Sequence, residues 1–107
     1  MTYNNEFRNF RELAKKNRLL FSKHFSEVRQ HERNITNEEL KQTIIKGFIF
    51  EEDDAYKAVY KIGNEYVSVV FNFAKSRKQI FIITAYNPKN NSWDVDSYKR
   101  WLKQGKR

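Results

Sequence analysis

The sequence predicts an α+β fold: N-terminal helices packed on one face of a three- to four-stranded antiparallel sheet, with a short C-terminal helix. Three observations predict it. Apolar residues near the N-terminus recur at three- and four-residue steps. A capping box opens a helix at Thr36. From Ala55 onward the period becomes two, and a Gly63-Asn64 pair separates two alternating runs. Helices first, then a meander, then a terminal helix is an α+β order.

Taken in order, Tyr3, Phe7, Phe10 and Ala14, with Leu13 beside them, form an apolar stripe on a helix over about residues 3–17. Arg8, Arg11, Lys15 and Lys16 occupy its other face. After Leu19-Leu20-Phe21, the residues Phe21, Phe25 and Val28 continue a helical stripe through SKHFSEVRQHER. In Ile35-Thr36-Asn37-Glu38-Glu39-Leu40, Thr36 is the N-cap and Glu39 reaches back, while Ile35 and Leu40 stand at the positions of a hydrophobic staple. That helix runs to Lys46, and Gly47 stops it.

Phe48-Ile49-Phe50 suggests a short strand before the acidic EEDD (51–54), a run that reads as a solvated loop rather than a cation site. AYKAVYKI (55–62) and EYVSVVFNF (65–73) flank the turn. Pairing Ile62 with Glu65 sets Tyr60 against Val67, Ala58 against Val69 and Tyr56 against Phe71, all on one face. AKSRK is a basic loop, and QIFIITAY (79–86) is a strand apolar enough at consecutive positions to be central and covered by helices. The tail SWDVDSYKRWLKQGKR reads as a short helix anchored by Trp93 or Tyr98 and Trp101.

At 107 residues with 39% hydrophobic and 16% aromatic content, residues 1–107 suit a single domain with one core. Zero cysteines exclude a disulfide framework and thiolate metal sites and fit a cytoplasmic protein. The first residues lack the apolar run of a signal peptide, and no segment approaches membrane-spanning length, so no membrane partner is expected. The net charge of +8 is uneven: residues 1–33 carry +4, residues 34–60 carry −3 and residues 61–107 carry +7. Basic ends around an acidic middle suit a polyanionic partner such as RNA.

RNA cleavage by the substrate's own 2′-hydroxyl needs a base, an acid and cationic or hydrogen-bonding groups for the phosphate, and no metal. Histidine serves either proton role near neutral pH. The chain has two, His24 and His31, seven residues apart on the second helix. His24 sits between Lys23 and the aromatic anchors Phe21 and Phe25, held by the core yet beside basic surface. His31, between Gln30 and Glu32, reads as a surface residue. The two histidines lack an acid at ligand spacing, so no zinc site is expected, and with no phosphate-cradling glycine loop, no cofactor.

SKHFSEVRQHERNITNEELKQTIIKGF, followed by a Lys-rich meander and IITAY, resembles the compact ribonuclease superfamily (the BECR fold) that groups barnase, EndoU, colicin and RelE-type toxins. The nearest likeness is to its phage- and mobile-element-borne nuclease domains, over about residues 20–88. The resemblance implies a small metal-independent endoribonuclease, toxin-like or a phage accessory, with a neutralising antitoxin or immunity protein as a partner. It implies that His24 is the general acid or base, that Lys23 stabilises charge, and that Thr84 and Tyr86 donate hydroxyls to the scissile phosphate. Arg29 and Arg33 on the helix, and Lys75, Arg77 and Lys78 in the basic loop, are the candidate nucleic-acid contacts. Related domains set the first arginine four residues after the histidine, whereas Arg29 lies five after His24. The alternative reading is a non-catalytic nucleic-acid-binding module of the same fold.

Overall fold

The computed structural model describes residues 2–31, 35–74, 78–88 and 93–105, with side chains for 6–27, 35–74, 78–88 and 93–105. The elements are α1 (Thr2–Lys15), β1 (Leu19–Phe21), α2 (Lys23–His31), α3 (Asn37–Lys46), β2 (Phe48–Glu52), β3 (Ala55–Ile62), β4 (Glu65–Phe73), β5 (Ile80–Tyr86) and α4 (Trp93–Lys103). The class is α+β, as the pattern predicts. The sheet differs: it has five strands in the order β1-β5-β4-β3-β2, and it is mixed because β1 runs parallel to β5. Leu19-Leu20-Phe21, of which Phe21 reads as part of a helical stripe, is this fifth strand, with Leu19 opposite Ile80 and Phe21 opposite Ile82.

Local chemistry sets each boundary. α1 ends where Asn17 takes φ 63°, a left-handed conformation Asn tolerates. The Arg18 N–H donates to Leu13 O and the Asn17 N–H to Ala14 O, the two bonds of a Schellman close. The capping box forms: Glu39 N–H donates to Thr36 Oγ1 at 3.1 Å and Thr36 N–H to Glu39 Oε1 at 2.9 Å. Ile35 and Leu40, the staple, are both buried. Arg11, placed by the periodicity on the outer face of α1, instead turns its guanidinium onto the carbonyls of Ile44, Ile45 and Gly47. One helix thereby caps the open end of another. Asp53 and Asp54, both at positive φ, make the two-residue turn between β2 and β3 that EEDD supplies.

The β3–β4 register is the one the Gly63-Asn64 turn dictates, from Ile62 opposite Glu65 to Tyr56 opposite Phe71. Alternation then gives the sheet two faces. On one, Tyr56, Ala58, Val67, Val69, Phe71, Ile80 and Ile82 form the main core with Phe10 and Ala14 of α1, Phe25 of α2 and Leu40 and Ile44 of α3. On the other, Val59 and Tyr66 pack against Val95, Tyr98 and Trp101 of α4, with Phe48 and Phe50 at the margin. Tyr60 departs from its row, its ring meeting Tyr98 edge-on at 6.3 Å. The helices thus cover both faces.

Candidate functional site

The site elements are assembled at the C-terminal half of β5. Alternation alone would set Thr84 and Tyr86 on the face of Ile80 and Ile82. The ladder slips instead: Phe71 pairs with Ile82 and Val70 with Thr84, so Ile83 is an extra residue, a β-bulge. Beyond it, Ala85 lies opposite Val69 and packs on the main core, while Thr84 and Tyr86 lie opposite Val70 and Ser68, on the α4 face.

Beside this segment stands the first turn of α2. β1 stops at Phe21, and among the described residues no strand pairs with the far edge of β5 from Ile83 onward. Ser22 fills the junction. Its N–H donates to Ile82 O at 2.9 Å and its hydroxyl to Ile83 O at 2.7 Å, while Oγ accepts the Phe25 N–H at 3.0 Å as the N-cap. Lys23 and His24 follow immediately and are exposed. Phe25 is buried, and its ring lies 5.8 Å from that of Phe21, the two-aromatic anchorage expected around His24.

Of the sequence candidates, Lys23 and His24 therefore share one exposed turn, tied through Ser22 to the residue before Thr84. No hydrogen bond joins His24 to Thr84 or Tyr86 among the described residues. Thr84 is partly buried. Lys78 is exposed just before β5. Arg29 belongs to α2, with its side chain outside the described residues, and Arg33, Lys75 and Arg77 lie outside them altogether.

Tyr86 belongs to a cluster that sequence reasoning misses. Its hydroxyl donates to Asp94 Oδ2 at 2.5 Å, and Ser68 Oγ donates to the same oxygen at 2.9 Å. Lys57 Nζ reaches Asp94 Oδ1 at 3.2 Å and Glu52 Oε1 at 2.7 Å, and stands 5.6 Å from the Tyr86 ring centre. The Lys57 and Asp94 side chains are only 11% and 7% exposed. Two buried charges cost desolvation energy, and here each meets several partners that offset it.

Burial pushes the Lys57 ammonium down, yet its hydrogen bonds to Glu52, Tyr86 and Asp94 outweigh this and hold the group well above its ordinary value of 10.5. Burial, then the bond to Asp94, pushes the Tyr86 phenol up, with Lys57 opposing. At neutral pH Tyr86 is a proton donor already committed to a carboxylate. Among the described residues no group of three or more His, Asp or Glu side chains could hold a metal ion. The sequence signal for this cluster is faint: Asp94 precedes Tyr98 by four and Trp101 by seven, which sets a carboxylate on the apolar stripe of α4.

Residues 21–87 match the model of a domain of unknown function, DUF4258. The chain belongs to the DUF4258 family. The match runs from the last residue of β1 through β5, including the α2 turn, Thr84 and Tyr86, and leaves α1, the rest of β1 and α4 outside it. The Lys57–Asp94 pair thus joins a strand of the DUF4258 region to a helix beyond it. No curated protein and no solved structure matches the chain. Among the described residues no helix is long and apolar enough to cross a membrane.

Proposed function

We propose that this DUF4258 protein acts on RNA as a small metal-independent endoribonuclease of the BECR type. The 2′-oxygen of the substrate attacks the adjacent phosphorus, a 2′,3′-cyclic phosphate forms, and the 5′-oxygen leaves with a proton. His24 is the group that takes or gives that proton, and Lys23 offsets the charge on phosphorus. Thr84 donates a hydroxyl bond to the phosphate. The observation carrying this reading is the exposed Lys23-His24 turn, fastened by the Ser22 hydroxyl to Ile83 O, next to Thr84. The +8 charge favours the polyanion. A neutralising antitoxin or immunity protein, and a cytoplasmic, toxin-like or phage-accessory role, belong to the same proposal.

Purified protein cleaving RNA in EDTA, with cleavage lost in His24→Ala at unchanged thermal stability, is the expected result. Activity retained in His24→Ala would sink it. The second reading, a binding module without catalysis, is favoured by one observation: the Tyr86 hydroxyl donates to Asp94. RNA bound with a steep salt dependence yet left intact would establish that reading instead.

A further inference from the structure

The face of α4 that meets the edge strand β2 forms a cleft of about 190 Å³ lined by Phe48, Phe50, Trp93, Ser97, Arg100, Trp101 and Gln104. Its walls are aromatic. Phe48 stacks on Trp101 with centroids 5.4 Å apart, and Phe50 meets Trp93 edge-on at 5.1 Å. Trp93 is 58% exposed, an unusual placement for so large an apolar ring. The polar groups are the Arg100 guanidinium, the Gln104 amide and the Ser97 hydroxyl. Ser97 is 4% exposed, and its Oγ has no hydrogen-bond partner among the described residues. A buried hydroxyl left without a partner is a cost native proteins rarely carry without a use.

We infer that this cleft is a base-binding subsite that stacks one unpaired nucleobase of single-stranded RNA on Trp93, with Ser97, Gln104 and Arg100 reading its polar edge and the phosphate beside it. This rests on the RNA reading above and names a contact it did not contain. The volume is below the 300 Å³ or so at which drug-sized sites begin, and suits one ring system. Aromatic faces stack any base, while a hydrocarbon guest would leave the guanidinium, amide and hydroxyl unanswered. Among the described residues no carboxylate lines the cleft. Phe50 also faces Lys57 Nζ, 5.9 Å from its ring centre, so one wall of the cleft adjoins the cluster holding Tyr86.

Both tryptophans of the chain line the cleft, so its occupancy is directly readable. The probe is a labelled 2′-O-methyl oligoadenylate ten residues long, which has no attacking hydroxyl, alongside an abasic strand of equal length. The expected result is saturable quenching of tryptophan emission by oligoadenylate and none by the abasic strand. Trp93→Ala then binds about tenfold more weakly by anisotropy at unchanged melting temperature. Ser97→Ala binds several-fold more weakly with no loss of stability, because its hydroxyl has no internal partner to lose. Oligoadenylate bound without quenching, equal quenching by the abasic strand, or wild-type affinity in Trp93→Ala overturns the subsite and leaves the RNA reading standing. No binding of either strand at low salt overturns both.

Discussion

Tyr86, the last residue of β5, is held by Asp94, the second residue of α4, through a 2.5 Å bond from phenol to carboxylate. Asp94 also carries Ser68 and Lys57, so one carboxylate ties α4 to three strands.

Removing that carboxylate exposes the dependence. Asp94→Ala leaves the buried Lys57 ammonium with Glu52 as its remaining carboxylate among the described residues, and stripping one partner from a buried pair costs about 3–5 kcal/mol. For a domain of this size that lowers the melting temperature by roughly 12 °C or more. Calorimetry of Asp94→Ala giving a drop under about 4 °C would show that Glu52 suffices.

The α2 turn separates stability from activity. His24 is exposed, so His24→Ala shifts stability by no more than about 0.5 kcal/mol while abolishing cleavage. Ser22→Ala removes both the N-cap and the bond to Ile83 O, lowering stability by about 1–2 kcal/mol. It also reduces cleavage through a mispositioned turn. Thermal melts beside RNA cleavage in EDTA check both variants, and undiminished cleavage in Ser22→Ala would remove the positional argument.

Alkali weakens the fold in a defined direction. Lys57, Tyr86 and Tyr98 all hold their protons more tightly in the folded chain than their ordinary values of 10.5, 10.0 and 10.0. Their contribution is complete below those values and is lost as pH rises through the folded ones. The melting temperature therefore falls above about pH 10 more steeply in wild type than in Tyr86→Phe. Melts between pH 8 and 11 read the difference; equal slopes would mean that Tyr86 is not coupled to folding.

Gly47 tolerates no side chain. A Cβ there would stand 2.5 Å from both Thr43 O and Val59 O, backbone atoms that cannot yield without moving α3 or β3. Gly47→Ala costs about 1–3 kcal/mol in urea unfolding. A variant as stable as wild type would contradict the packing of α3 on the sheet.

What could be read from the sequence was whatever local chemistry decides. The Thr36–Glu39 box and the Gly63-Asn64 turn carry their geometry within a few residues, so the α3 start and the β3–β4 register follow directly. β1 does not: three residues are too few to show a period, and its partner lies about sixty residues on. Arg11 looks like a solvated arginine until α3 brings its carbonyl end alongside. The pairing of Lys57 with Asp94, 37 residues apart, has no local mark, because only the closed sheet with α4 laid over it buries them together. His24 was legible as an imidazole next to Lys23, held by aromatic anchors beside basic surface; the face taken by Thr84 and Tyr86 was not, since nothing local marks Ile83 as supernumerary.

That surplus isoleucine acts as a parity counter for everything downstream of it. With it bulged out of the ladder, Ala85 packs on the main core and two hydroxyls lie under α4; pair it regularly with Val70 and the assignments trade places, driving a phenol toward Phe10 and Phe25 and depriving Asp94 of its phenolic donor. The chemistry at this strand's tip thus depends on how many of the preceding residues enter the ladder as much as on which ones they are.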